Sequence, residues 1–189
     1  MADNSRASNL ENNIREVDAE YKKVVEEAAK NDSNFDIPNS TIGHAVFLSN
    51  TLISKAQDNI KILTGELSSP YYDRVKDTLA TTAERFKKEN KGEQIHIIIW
   101  ERDARRNEGF EELITKYRDV IKMKNAGQPF SDKINHFLVS DFKRYRLENP
   151  HTKAALESGQ ITATANFGNP AGAKNLNDMF DRLWDKLPA

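Results

Sequence analysis

The stretch HFLVSDFKRYRLE places a histidine, His136, at the head of an apolar run, an aspartate, Asp141, at the turn that closes it, and a cationic strand after it. That pattern has two readings, a histidine poised for catalysis or an ordinary strand histidine. The sequence holds four histidines and no cysteine, which excludes structural disulfides, thiolate zinc sites and cysteine nucleophiles. His96 sits in the buried-type run QIHIIIW and reads as a satisfied core residue. His44 follows Gly43 at a helix start, where backbone N–H groups can hold an anion. Neither has the spacing to a partner that a zinc-protease helix needs, so no metal and no cofactor is expected. His151 and Lys153 in HTK offer a second histidine and lysine pair, in a context that favours helix over strand.

Cations gather in two places. The segment ERDARRN carries Arg102, Arg105 and Arg106, and guanidinium groups grip phosphate with paired donors. Glu101, Asp103 and Glu108 neutralise it, so a solvated charged loop is the competing reading. Lys143, Arg144 and Arg146 surround Tyr145, and on an exposed strand an aromatic between cations can stack on bases.

The chain as a whole limits what these groups can serve. Its 189 residues suit one domain with an appended helix. Lys and Arg number 28 against 29 Asp and Glu, for a net charge of -1, so any nucleic-acid contact must come from a local patch. Charged residues make up 30% and the mean hydropathy is -0.73, which reads as soluble and globular. The N-terminus has neither a basic start nor an apolar run, and no stretch is long enough to span a bilayer. A cytoplasmic protein that does not engage membranes is the expectation.

The elements that would position the chemistry follow from periodicity. Ser8 and Glu11 form a capping box, and Leu10, Ile14, Val17, Tyr21, Val24 and Ala28 then recur at heptad spacing. This narrow seam could lie on its own domain or pair with a second chain or partner. Residues 31–40 read as a linker, so residues 1–40 form a helix and linker and residues 41–189 the main domain. From there the pattern alternates: helices over 42–57, 70–90, 109–125 and 170–187, and strands over 60–63, 95–100, 136–140, 144–147 and 161–167. Alternation of this kind predicts an α/β fold with a mixed, partly parallel sheet flanked by helices, in which 136–147 is an antiparallel pair. Ligands then collect beyond the carboxyl ends of the parallel strands, at Thr64 to Glu66 and at the arginine loop.

The order His136, Asp141, then Ala163, Thr164, Ala165, Asn166 and Phe167 before a final helix resembles the C-terminal half of a phospholipase D superfamily domain. That family carries H-x-K-x-x-x-x-D followed by G-S-x-N. NIKILTGEL and QIHIIIW are similar to its first half, so the resemblance spans about residues 41–186. It implies His136 as nucleophile on phosphorus, Asn166 at the asparagine position, Thr164 in place of the serine and Asp141 as the aspartate. The match is partial. The lysine position is Leu138, and Lys143 stands where strict counting puts the aspartate.

Removing one positioned cation from a phosphoryl-transfer site costs a few kcal/mol of transition-state stabilisation. The expectation therefore leans away from an efficient enzyme. It is a degenerate phospholipase D-like module that binds a phosphate-containing ligand, nucleic acid or nucleotide, or a protein partner, and assembles as a homo-oligomer or hetero-complex. Two alternatives stand beside it. One is an active, metal-independent phosphodiesterase or nuclease working as a homodimer through His136. The other is an architectural subunit assembling through the N-terminal helix. The resemblance also makes a bacterial nucleic-acid processing or defence setting plausible.

Overall fold

The computed structural model describes residues 17, 19–67, 71–101, 107–129, 131, 133–152, 155 and 162–188. In chain order the helices are α1 (Ala19–Asn31), α2 (Ile42–Lys55), α3 (Tyr71–Lys88), α4 (Glu108–Lys116) and α5 (Pro170–Trp184). The strands are β1 (Ile37–Asn39), β2 (Ile60–Thr64), β3 (Ile95–Glu101), β4 (Ile121–Gln128), β5 (His136–Ser140), β6 (Arg144–Glu148) and β7 (Ala163–Asn166). They form one mixed sheet in the order β1-β7-β6-β5-β2-β3-β4. The β2, β3 and β4 ladders are parallel, and every other pairing is antiparallel.

Sequence decides which side each strand residue serves. Ile95, Ile97 and Ile99 of β3 join a large core with α1 to α4, while Ile98 joins a smaller one under α5. Both faces are thus covered, which is why β2 is buried along its whole length and reads as a near-continuous apolar run. Phe86 and Phe110 fill the larger core and Phe180 the smaller, each with no exposure. Each such side chain contributes roughly 1.5–3 kcal/mol relative to leaving it in water.

Two segments differ from their sequence pattern. Within the expected linker, Ile37–Asn39 pairs antiparallel with β7 as an edge strand. Ile37 supplies buried apolar surface, and Pro38, lacking an N–H, suits an edge. Three residues are too few to announce a strand by periodicity. The helix expected over 109–125 stops at Lys116, and Ile121–Gln128 becomes β4 beside β3. Ile121 and Met123 alternate with Lys122 and Lys124, a period of two that Tyr117 and Ile121 disguise by also standing four apart.

The turn between β5 and β6 fixes the register that the site depends on. Asp141 and Phe142 both have φ 56, the left-handed pair of a tight hairpin turn. Asp141 is held there because its carboxylate accepts from the backbone N–H groups of Gln57, Asp58 and Asn59 and from Arg144. Its role in the fold is to tie the hairpin to the entry of β2.

Candidate functional site

At the carboxyl end of β2 the chain passes Thr64 and Gly65, and β3 ends in Glu101. Because β5 runs antiparallel to β2, with Leu63 opposite Phe137, its first residue His136 arrives at the same edge. The hairpin then places Glu148, the last residue of β6, directly across from His136. Residues paired across a ladder share a face, so the two side chains meet.

Glu148 is the hub. Its Oε1 lies 3.3 Å from Nδ1 of His136 and accepts from Nε2 of His151 at 2.8 Å. Its Oε2 accepts from Arg146 at 2.8 Å. Arg146 also donates through Nε to Asn39 of β1 at 2.8 Å, and its guanidinium lies over the Tyr71 ring, whose hydroxyl pairs with Ser49. Arg146 is 5% and Glu148 8% exposed, so this is a charge pair inside the protein. Burial alone would push the Glu148 carboxyl up, but the hydrogen bonds from His136 and His151 and the charge of Arg146 outweigh it and hold it well below the usual carboxylate range. The Glu148 contact raises the His151 imidazole above its ordinary value, against the opposing effect of burial.

Gly65 gives this edge room. A Cβ there would stand 2.7 Å from Oε1 of Glu101 and 3.3 Å from Nε2 of His136. Glu101, Gly65 and His136 therefore border one small space at the edge. The two histidine rings meet edge to face, with centroids 5.1 Å apart.

The residues expected from the sequence distribute unevenly around this cluster. His136 is in it. Asn166 and Thr164 are not: Ala163 lies level with Glu148, and Asn166, opposite Tyr145, is three residues further along. That displacement is roughly 10 Å along the strand and about two strand spacings across it. Strand alternation also turns Thr164 and Asn166 to the opposite face from Glu148. Asn166 instead donates to Asn34 and Asp36 and accepts from the Gly168 N–H. Asp141 closes the far end of the hairpin.

Leu138, at the lysine position, is 4% exposed within the larger core. Across from it stands Arg146, so a cation is present at that level but engaged with Glu148 and Asn39. Lys143 and Arg144 both pair with Asp32 at the end of α1, and Arg144 is buried. The stretch KRYR was expected on an exposed strand; β6 lies inside the sheet, and its arginines anchor the buried carboxylates of Asp141 and Glu148.

Of the N-terminal seam, Tyr21 stacks on His44 at 3.9 Å and donates to Pro38 O. Ala28 is buried, and Val24 is 40% exposed beside the fully buried Val25. Leu10 and Ile14 lie outside the described residues, as do Arg102, Arg105, Arg106 and Lys153, and Val17 is half-buried. His96 is half-buried with its ring 4.7 Å from Trp184; burial, then the charge of Lys61, depresses its basicity.

Sequence reasoning passed over Glu148 and gave Arg146 another role, in an exposed cationic patch. The available signal was Glu148 three residues before His151, but its weight comes from the cross-strand pairing with His136.

The fold has solved counterparts. Nuc from Salmonella typhimurium, a phospholipase D family member, matches with a TM-score of 0.60 at 16% identity, over 82% of this chain and 97% of its own. NucT from Helicobacter pylori matches at 0.62 and 12% identity, over 82% and 98%. The chain has a phospholipase D-like fold. The phospholipase D-like sheet is also shared with TrmBL2, an archaeal chromatin protein with a novel mode of DNA binding, at a TM-score of 0.59 and 12% identity. There the match covers 88% of this chain and 59% of the length of TrmBL2. No protein-family model matches the sequence, and no curated protein does. Among the described residues, no helix is long and apolar enough to cross a membrane.

Proposed function

We propose that this phospholipase D-like module holds a phosphate-bearing ligand, a nucleic acid or nucleotide, at the histidine edge of its sheet without cleaving it by the histidine and lysine route. One observation carries the reading. The donors that would grip a transferring phosphoryl group, His136, His151 and Arg146, converge on the internal carboxylate of Glu148, and the lysine position is a core leucine.

A phosphoryl group in transit concentrates negative charge, and an anionic neighbour in place of a positioned cation raises the barrier by a few kcal/mol or more. Binding makes a smaller demand. The Glu101 carboxylate lies beside Gly65 and His136, and Arg102 follows Glu101 directly in the sequence, which supports the arginine segment as the phosphate contact. The DNA binding of TrmBL2 is consistent with a fold of this kind used for binding.

A second reading has its own support. Glu148 at Nδ1 of His136 orients the ring as an orienting carboxylate does for a catalytic histidine. An enzyme acting through His136 is the alternative that the hydrolysis measurement closing the Discussion decides.

The binding reading is tested by replacing Arg105→Ala and Arg106→Ala together and titrating a single-stranded oligonucleotide across a range of salt. The double variant binds more weakly, and the slope of log affinity against log salt becomes shallower by about 1.4, the loss of two phosphate contacts. An affinity and slope equal to those of the unaltered protein reject the arginine loop as the contact.

A further inference from the structure

We propose that His136, Glu148 and His151 form a binding site for a divalent transition metal of the zinc class. Two imidazole nitrogens and one carboxylate oxygen are the three-ligand set of an open zinc site, with the fourth position left for an exogenous ligand. The three donor atoms all lie within 4.8 Å of one another.

The spacing suits the ion. Bonds of about 2.0–2.1 Å in a tetrahedron put ligand atoms about 3.3–3.4 Å apart. The Glu148 oxygen stands 3.3 Å from His136 Nδ1 and 2.8 Å from His151 Nε2. A swing of about 1 Å by the imidazoles, within the reach of a side-chain rotation, closes the remaining edge.

The outer contacts fit as well. Metal-bound carboxylates and imidazoles are held from behind by hydrogen-bonding groups. Arg146 takes Oε2 of Glu148 and leaves Oε1 for the ion, while Asn39 fixes Arg146. Nδ1 of His151 lies 3.4 Å from the Thr152 carbonyl, which would hold the ring proton on Nδ1 once a metal displaces the one that Nε2 shares with Glu148. Nε2 of His136 points to the space that it shares with the Glu101 carboxylate, so its other nitrogen is available to the metal.

The charge balance gives the ion a purpose. Among the described residues of this edge the charges of Glu148 and Arg146 cancel, and Leu138 stands where lysine would. A dication there supplies a positive charge, and a phosphate oxygen completes the fourth position. That last step rests on the proposed phosphate-binding function; the metal site does not.

The test uses the full chain, stripped with chelator and then titrated with Zn²⁺, and in parallel with Co²⁺. One equivalent per chain is expected, with the visible d–d bands of tetrahedral Co²⁺. His151→Gln and His136→Gln each lower the affinity by about 100-fold or more, since loss of an outer-shell partner alone costs 10–100-fold. His44→Gln, outside the three-residue cluster, changes nothing. Circular dichroism of each variant shows that the fold is kept, and the two independent substitutions guard against one failing to fold. Absence of stoichiometric binding, or binding unchanged in both cluster variants, overturns the site. Added inorganic phosphate shifts the Co²⁺ bands if the fourth position is open to it. Bands that form but ignore phosphate leave the metal site standing and remove the phosphate step.

Discussion

Leu138→Lys, which puts a lysine where the family resemblance would set the H-x-K lysine, is expected to destabilise the protein by about 4 kcal/mol or more and to create no phosphodiesterase activity. The position is inside the larger core, paired across the ladders with Ile62 on one side and Arg146 on the other. Two costs add. The buried leucine contacts are lost, roughly 2 kcal/mol or more, and an ammonium is taken out of water beside an existing guanidinium, a penalty of several kcal/mol. A nearby counter-charge, Glu148, is already shared among Arg146, His136 and His151. Urea unfolding measures the loss, and Leu138→Met, which conserves volume, costs less than about 1.5 kcal/mol. A Leu138→Lys protein with an unchanged unfolding midpoint, or one that hydrolyses a phosphodiester, would show that the lysine position is an open site.

Glu148→Gln is expected to cost about 3–5 kcal/mol, the usual result of removing one partner from a buried ion pair. The amide keeps the shape and one acceptor but not the charge. Arg146 then stays buried with Asn39 and the Tyr71 ring as its remaining partners, neither of them anionic. The raised basicity of His151 depends first on its hydrogen bond to Glu148, so its titration moves back toward the ordinary histidine value in the variant. Proton NMR of the His151 ring follows that change separately from stability. A variant of wild-type stability with an unmoved His151 titration would mean that the cluster is not held by this carboxylate.

How much of this was legible in the sequence differs between fold and site. The alternation of helices with β-branched runs such as QIHIIIW announced a sheet covered on both faces, because burial on both sides erases polar alternation. The edge strand at Ile37–Asn39 was too short to show a period, and β4 was hidden by apolar residues that fit a helix and a strand equally well. At the site, His136 stood out because a histidine at the head of an apolar strand is conspicuous along the chain. Glu148 and Arg146 did not, since their meaning lies in register. A hairpin turn set by Asp141 and Phe142 brings Glu148 opposite His136 and Arg146 opposite Leu138.

The same register separates Asn166 and Thr164 from His136. The order H…D…N along the chain matches a motif, while the ladder places its members at different levels and on different faces. Motif order and spatial convergence are independent properties, and only the ladders report the second.

The measurement that bears most directly on the binding reading is hydrolysis of a generic phosphodiester and of single-stranded and double-stranded nucleic acid, with chelator present, by the purified protein and by His136→Ala. The account predicts no turnover above background in either. Turnover by the unaltered protein that disappears in His136→Ala would contradict it and make His136 a nucleophile whose lysine has been replaced by another cation.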